Sequence, residues 1–215
     1  MIPYFKLISD GGPDMFAIIA CSLIAVYIFI LKWFQFHRAQ VNVGELVAGL
    51  VNVLKRDGMI EAITLCDHTP GPVARLLNSA IYAYRNEDDI QKAIEAQSLV
   101  EVPKLEARLN ILATIAYVAP LLGLLGTVLG MFEAFQTMEN GAAMSLPELS
   151  KGIYTALTCT AAGLCVAIPC HIAYNYLLSR VQNFCIEMEK ASAEILYFFE
   201  HHSKKGEGVT DDDQV

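Results

Sequence analysis

Charged residues are scarce in this chain, and three long stretches contain no Asp, Glu, Lys or Arg. Charged residues make up 18% of the 215 positions, hydrophobic residues make up 54%, and the mean hydropathy is +0.41. A soluble globular domain carries about 25% charged residues. A polytopic membrane protein is therefore the class to test first.

Paired cysteines and a basic surplus are also missing. The six cysteines include no C-x-x-C pair, which argues against a zinc or disulfide framework and leaves them as small apolar side chains. The net charge of -8, with a terminal run of three aspartates, argues against nucleic-acid binding. No metal and no cofactor is expected. The cysteines are Cys21, Cys66, Cys159, Cys165, Cys170 and Cys185.

Three uncharged stretches are long enough to be transmembrane helices. They run from Met15 to Leu31, from Leu109 to Phe132 and from Gly152 to Ser179, and contain 17, 24 and 28 residues. A helix needs about 20 residues to cross the hydrocarbon core, with about 17 as the lower limit. The first stretch, which Trp33 and Phe34 extend as interfacial residues, can also be interpreted as a signal peptide. Its acidic leader and the lack of a small-residue cleavage site favour an uncleaved span.

The distribution of basic residues predicts the orientation, since short basic loops stay in the cytoplasm. One cation precedes the first span and one lies between the second and third spans. By contrast, nine lie between Lys32 and Arg108, and four follow the third span. The N-terminus is therefore predicted to lie outside and the C-terminus in the cytoplasm.

The predicted fold is all-α: a polytopic membrane protein with three transmembrane helices and a helical cytoplasmic domain, with long helices that extend into the cytoplasm. The predicted segments are an external N-terminus (1–14), transmembrane helix 1 (15–34), the cytoplasmic helical domain (35–107), transmembrane helix 2 (108–133), an external loop (134–151), transmembrane helix 3 (152–179), a cytoplasmic helix (180–202) and a disordered acidic tail (203–215).

Within the cytoplasmic domain, apolar residues recur every three or four positions, as they do in amphipathic helices. This periodicity predicts a helix from Val43 to Leu54. Pro72 suits the first turn of another helix, and Asn86 is the predicted cap of a helix that begins at Glu87. The same periodicity continues over residues 181–198, so the third span is expected to project beyond the bilayer.

The second span contains the sequence APLLGLLGTVLGM, from Ala119 to Met131. Three glycines share one helix face, on which another backbone can approach closely. Thr127 is the only hydroxyl in this sequence. The glycines are Gly123, Gly126 and Gly130.

The third span carries hydroxyls at Thr155, Thr158 and Thr160. At about 1.5 Å per residue, Thr127 lies roughly 9 Å and Thr160 roughly 12 Å from the outer ends of their spans, so their depths are similar in antiparallel helices. A single threonine can bond to a carbonyl one turn back and serve packing alone. As a set at matching depth, the threonines indicate the lining of a wet or partner-filled path.

Neither long span contains a carboxylate or an amine in its middle. A proton path needs a titratable group, so the chain alone is an incomplete proton carrier. Glu133, at the outer end of the second span, is either an ion-pathway acid or a solvated charge. Pro120 and Pro169 are expected to bend their helices in the inner half, which either reshapes a cavity or produces static kinks.

The stretches Ala119–Phe135 and Gly152–Pro169, with Tyr174 and Asn175 after them, resemble the ExbB/TolQ/MotA family of proton-driven motor subunits. The resemblance is specific from about residue 105 to residue 180. Three spans, with the cytoplasmic domain between the first two, match ExbB and TolQ, whereas MotA proteins have four. ExbB is the safer label, and TolQ is the alternative.

The resemblance implies a pentamer in the inner membrane of a Gram-negative bacterium, with a periplasmic N-terminus, around an ExbD- or TolR-like single-span dimer. In that family, a membrane aspartate of the partner takes up protons, and threonines that match Thr127 and Thr160 line the space around it. Proton passage biases rotation of the partner, and a TonB- or TolA-like protein transmits the work to the outer membrane.

Thr155 departs from the family pattern, because well-known ExbB and TolQ members carry a glutamate in the first turn of the third span. This puts the usual proton route in doubt, and Glu133 is considered as a substitute. A structural membrane scaffold without ion conduction is the alternative function. No enzyme is expected. An intramembrane hydrolase would need a G-x-S-x-G element or a suitably placed Ser and His pair, and the sequence has neither.

Overall fold

The computed structural model describes residues 12–56, 58–139 and 146–207. All regular elements in these ranges are α-helices, and three helical stretches are long and apolar enough to cross a membrane. The protein is thus an all-α polytopic membrane protein, as the sequence predicts. The helices are α1 (Gly12–Ala39), α2 (Val43–Leu54), α3 (Met59–His68), α4 (Pro72–Arg85), α5 (Ile90–Glu106), α6 (Leu109–Glu139) and α7 (Leu146–Glu207).

The chain forms two compact units, each assembled from two segments. The membrane unit comprises Met1–Lys32 and Arg108–Leu177, and the helical domain comprises Trp33–Ala107 and Leu178–Val215. Two of the boundaries fall inside α1 and α7, and both helices continue through them. The third falls between α5 and α6, where Arg108 has a positive φ of 70°.

Large apolar side chains cover the exposed surface of the membrane unit. On α6, exposed positions include Leu121, Leu124, Val128 and Phe132. Water would make such a continuous apolar surface costly, whereas lipid tails are as apolar as the side chains themselves. The exposed face of α6 is therefore suited to contact with lipid or with other membrane helices.

The helical domain has its own hydrophobic core, with α4 packed between α3 and α5. Four side chains of α4 have no exposed surface: Leu76, Leu77, Ala80 and Ile81. The C-terminal half of α7 adds Met188, Ala191, Ile195 and Phe199 to the same core. Phe199 stacks on Tyr84 with the ring centroids 4.2 Å apart. The domain thus depends on a helix that also forms part of the membrane unit.

Truncation of the core at α4 is expected to destabilise the helical domain. Leu77→Ala removes a fully buried side chain, and such changes cost about 2–5 kcal/mol because the cavity collapses only partly. Thermal unfolding of the purified chain, followed by circular dichroism, measures the loss. Leu99→Ala in α5 is the matched control, because Leu99 is 77% exposed. Equal shifts in the two variants would contradict the assignment of this core.

The predicted start of the fifth helix was wrong by three residues. Pro72 does lie in the first turn of α4, but Asn86 ends α4 instead of capping the next helix. Glu87 has a φ of 58°, its N–H donates to the Tyr84 carbonyl, and the Asp88 N–H donates to the Ala83 carbonyl. These two bonds form a Schellman motif, which terminates α4 and uses the residues expected to begin the next helix.

The cap of α5 is Asp89, whose Oδ1 accepts from the Lys92 backbone N–H at 3.1 Å. An N-cap carboxylate satisfies one of the backbone donors that a helix start leaves unpaired. Of the three consecutive acids Glu87, Asp88 and Asp89, only Asp89 caps α5.

The ends of the long helices differ from the predicted segment bounds. Helix α1 begins at Gly12, α6 extends to Glu139 and α7 begins at Leu146, so both α6 and α7 reach into the predicted loop 134–151. α7 also continues to Glu207, five residues into the predicted tail 203–215. Residues 1–11, 140–145 and 208–215 lie outside the described residues, and the orientation stays a prediction.

Candidate functional site

The candidate site is the face on which α6 and α7 meet inside the membrane unit. A Cβ atom added to Gly123 would lie 3.0 Å from the Cys159 carbonyl oxygen, and one added to Gly130 would lie 3.2 Å from the Ala156 Cβ. Gly126 is buried between them along the chain. Small residues allow helix backbones to approach closely in a membrane, where van der Waals packing replaces the hydrophobic effect as the cause of association.

Gly163 of α7 makes the closest of these approaches, and the sequence reasoning missed it. A Cβ atom there would lie 2.6 Å from the Ala119 carbonyl oxygen and 3.1 Å from the Gly123 Cα. Small residues at Gly152, Ala156 and Gly163 recur at spacings of four and seven, which is the signal that could have identified the second half of the contact.

The glycine contacts fix the register of the two antiparallel helices. Gly123 lies against Gly163 and Gly130 lies against Ala156, so seven residues separate the two contacts on both helices. Gly123 also lies against Thr160, so Thr127 and Thr160 lie within about one helical turn of each other along the helix axis, or roughly 5 Å.

Thr160 connects the two helices through a hydrogen bond. Its Oγ1 donates to the Gly123 carbonyl oxygen at 3.0 Å. The other hydroxyls bond within their own helices: Thr127 Oγ1 donates to the Leu124 carbonyl at 2.6 Å, and Thr158 Oγ1 donates to the Tyr154 carbonyl at 2.8 Å. Each of the three hydroxyl groups donates its proton to a backbone carbonyl oxygen. The lone pairs of the hydroxyl oxygens remain able to accept further hydrogen bonds.

Thr155 and Glu133 lie near the outer end of this contact. Thr155 is half-buried and immediately precedes Ala156, which packs on Gly130. Glu133 is exposed on the chain, whereas its neighbour Ala134 is buried, with its Cβ 3.0 Å from the position of a Cβ added to Gly152. The carboxylate is thus placed at the edge of the α6–α7 contact and not inside it.

The two prolines leave their helices continuous. Pro120 lies inside α6 and Pro169 lies inside α7. Ala119, the residue before Pro120, has the carbonyl group that Gly163 approaches closely. Near the same end, His171 contacts Tyr117 edge-to-face with the ring centroids 5.6 Å apart. The expected bends at the prolines stay a prediction.

The cysteines of the described ranges form no disulfide bonds. Burial raises the pKa of Cys66 to about 11, so this thiol stays neutral in the core of the helical domain. A neutral buried thiol behaves as a small apolar side chain. Within the described residues, no group of three or more His, Cys, Asp or Glu side chains could hold a metal ion.

Three membrane-length apolar helices, two of them packed against each other through glycines, define a polytopic membrane protein. The chain belongs to the MotA/TolQ/ExbB proton channel family, whose model matches residues 68–190, more than half of the sequence. The matched region contains all of α4, α5 and α6 and most of α7.

Proteins similar to this chain bear ExbB and TolQ names. An ExbB homolog from Methanothermobacter thermautotrophicus is 29% identical over 183 residues, which cover 83% of this chain and 64% of that protein, slightly under two thirds of its length. The biopolymer transport protein ExbB of Neisseria meningitidis serogroup A is 27% identical over 192 residues, or 80% of this chain and 86% of that protein. The Tol-Pal system protein TolQ of Haemophilus influenzae is 44% identical over 81 residues, or 38% of this chain and 36% of that protein.

Family membership and the three apolar helices establish the broad role of the chain. It is an inner-membrane subunit of an energy-transducing system, in a family of transport-associated channel proteins. The similarity to ExbB covers more of the chain than the similarity to TolQ.

Proposed function

We propose that this chain is the ring-forming subunit of a motor driven by the proton-motive force, and that Thr127, Thr155, Thr158 and Thr160 line its ion pathway. The motor couples ion flow to work on a TonB- or TolA-like transmitter for outer-membrane transport or integrity. The main support is the set of hydroxyls at one depth on α6 and α7, in spans without a carboxylate or amine. The N-terminus is periplasmic and the C-terminus cytoplasmic in this proposal.

The missing proton carrier is supplied by a partner. A homopentamer of this chain, surrounded by membrane lipid, encloses an ExbD- or TolR-like single-span dimer, whose membrane aspartate takes up the proton. One elementary charge that crosses 100 mV releases about 2.3 kcal/mol, so several protons are needed for each mechanical step.

The hydrogen bonds of the threonines suit the protonated form of such an aspartate. Because the hydroxyl protons of Thr127, Thr158 and Thr160 are donated to carbonyls, their oxygens can accept a bond from a neutral carboxyl group. A hydrogen bond to the neutral form of an acid raises its pKa. The aspartate therefore stays protonated while it faces the hydroxyls and ionises when it reaches water. Glu133, at the outer end of α6, is proposed as the acid at which protons enter.

Removal of the hydroxyls at equal side-chain volume tests this proposal. Thr160→Val and Thr127→Val are expected to lower partner-dependent proton flux by about tenfold each, which corresponds to the loss of one hydrogen bond to an ionisable group. Flux is measured in proteoliposomes that contain this chain and its single-span partner. Thr160→Ser and Thr127→Ser retain the hydroxyl and are expected to keep most of the flux.

Thr114→Val is the matched control, because Thr114 lies on α6 and its Oγ1 also donates one turn back, to the Asn110 carbonyl at 2.8 Å. This variant is expected to keep wild-type flux. Native mass measurement checks that every variant still assembles with the partner. Wild-type flux in both Thr127→Val and Thr160→Val would overturn the proposed pathway.

A structural scaffold without ion conduction is the second candidate. The bonds of Thr127 and Thr158 to carbonyls of their own helices favour it, because a packing role requires nothing more. A scaffold would need no aspartate-bearing partner, and its function would survive collapse of the membrane potential. The same proteoliposomes distinguish the two candidates, because a scaffold gives no proton flux above that of protein-free liposomes.

A further inference from the structure

An open cleft in the helical domain is lined by two arginines. Its volume is about 430 Å³, within the range of small-ligand sites. The last turns of α1 contribute Phe34, Gln35 and Arg38, and the start of α4 contributes Gly71 and Arg75, with Leu105 of α5 alongside. Among the described side chains, no carboxylate lines the cleft. A concave surface with two guanidinium groups favours an anionic ligand.

The charge of Arg75 is only partly used by the protein itself. One of its N–H groups donates to Glu101 Oε2 at 2.6 Å, while Lys104 Nζ donates to Glu101 Oε1 at 2.9 Å. Arg75 thus shares this carboxylate with Lys104, so Glu101 neutralises the charge of Arg75 only in part. Arg75 is 52% exposed, and a guanidinium has five N–H donors in a fork that matches phosphate oxygens. Further donors therefore remain for a ligand in the cleft.

The position of the cleft along α1 indicates where the ligand comes from. The uncharged run of α1 ends at Leu31, and the exposed aromatic residues Trp33 and Phe34 follow. Arg38 lies one helical turn beyond Phe34, or about 6 Å. Tryptophan and other aromatics mark the level of the lipid headgroups, and the headgroup layers add only about 5–8 Å on each side of the hydrocarbon core. Arg38 lies about 10 Å beyond Leu31, just past this layer, and its long side chain can reach back to the phospholipid phosphates.

We propose that this cleft binds the phosphate of an anionic phospholipid, in the leaflet that surrounds the C-terminal end of the α1 span. Arg38 and Arg75 bind the phosphate oxygens, and Phe34 and Leu105 contact the glycerol and the first acyl carbons. The apolar lining and the depth favour a lipid headgroup over free phosphate. A bound lipid joins the end of α1 to α4 and α5, because its phosphate contacts Arg38 of α1 and Arg75 of α4 while its glycerol contacts Leu105 of α5.

Lipid binding by the purified full-length chain in detergent tests the proposal. The probes are phosphatidylglycerol and phosphatidylcholine, titrated separately, and bound lipid is counted by native mass spectrometry. Arg38→Gln is expected to weaken phosphatidylglycerol binding by about fivefold to tenfold, as expected for loss of one charged hydrogen-bonding group. Arg38 is the test position because Arg75 also holds Glu101.

Arg56→Gln provides the matched control, since Arg56 is an exposed arginine of the same domain that does not line the cleft. It should bind phosphatidylglycerol as the wild type does. Equal affinities in the wild type and Arg38→Gln, or equally tight binding of phosphatidylcholine, would overturn the proposal. Full competition by millimolar inorganic phosphate would also overturn it, because the cleft would then be a site for the free anion. Weak competition, combined with the loss in Arg38→Gln, supports a lipid headgroup.

Discussion

Replacement of Gly163 by alanine is expected to disrupt the packing of α6 on α7. The new Cβ would lie 2.6 Å from the Ala119 carbonyl oxygen and 3.1 Å from the Gly123 Cα, and both of these are backbone atoms that no rotamer change can move away. Overpacking costs about 1–3 kcal/mol, and a backbone clash places this variant at the upper end. The helices can relieve it only by moving apart.

Separation of the helices would also stretch the bond between Thr160 Oγ1 and the Gly123 carbonyl, which spans 3.0 Å. Hydrogen bonds between membrane helices contribute about 0.6 kcal/mol on average, with about 1.7 kcal/mol as a maximum. The preference of alanine over glycine inside a helix offsets about 0.5–1 kcal/mol, so we expect Gly163→Ala to lower the free energy of unfolding of the purified chain by about 3 kcal/mol in total. The partner-dependent flux should fall with it, because the threonines lose their register.

Gly49→Ala is the matched control. Gly49 lies within α2, and a Cβ added there meets no atom within 4 Å. Alanine is favoured over glycine inside a helix by about 0.5–1 kcal/mol, so this variant is expected to be slightly more stable than the wild type. Opposite shifts of the melting temperature in the two glycine variants would support the packing argument. An unchanged melting temperature in Gly163→Ala would contradict it.

Arg75→Met is expected to be the most destabilising single change of a charged residue in the helical domain. The Glu101 side chain has no exposed surface, and Arg75 and Lys104 are its hydrogen-bonding cations. Loss of one partner of a buried ion pair costs about 3–5 kcal/mol, because it leaves an uncompensated charge. Lys104 remains in this variant, so we expect about 2–3 kcal/mol.

The pH dependence provides a second measurement on the same pair. Burial acts to raise the pKa of Glu101, but hydrogen bonds from Arg75 and Lys104 outweigh it and hold the pKa below its ordinary value. The Arg75–Glu101 pair therefore contributes its full stability above the pKa of Glu101 in the unfolded chain, about 4.3. This contribution is lost as the pH falls through the lower pKa of Glu101 in the folded protein. In Arg75→Met the folded pKa rises, so the difference between variant and wild type should be largest at neutral pH and should shrink in acid.

Lys92→Met is the control for the charge change. Lys92 pairs with Asp89 at 3.0 Å on the surface of the domain, where both side chains are well exposed. Exposed pairs contribute little to stability, so the melting temperature is expected to stay near that of the wild type. An equal loss in Lys92→Met and Arg75→Met would show that net charge, and not the buried carboxylate, causes the effect.

The three spans could be predicted from the sequence because a long uncharged run is a strong and local signal. The glycine face of α6 could also be predicted, because the spacing of its glycines is a local signal. Its partner residue Gly163 became evident only once the register of the two helices was known. Similarly, the depth of Thr160 follows from counting residues, but its bond to the Gly123 carbonyl depends on how α7 is rotated about its axis.

Contacts distant in sequence account for what the sequence reasoning missed in the helical domain. Arg75 and Glu101 are 26 residues apart, and no local pattern pairs them. The start of α5 was misplaced because the left-handed backbone at Glu87 is a property of the α4 terminus, which glycine usually occupies. An acidic residue at that position gave no indication of a helix end.

The continuity of α7 also affects the biosynthesis of the protein. Residues Met188, Ala191, Ile195 and Phe199 complete the core that α2–α5 begin, although more than eighty residues and two membrane spans separate them from α5. During translation, α2–α5 leave the ribosome first. The part of their apolar surface that packs against α7 stays exposed until the end of α7 has been synthesised. The helical domain can therefore finish folding only after the last span has been synthesised.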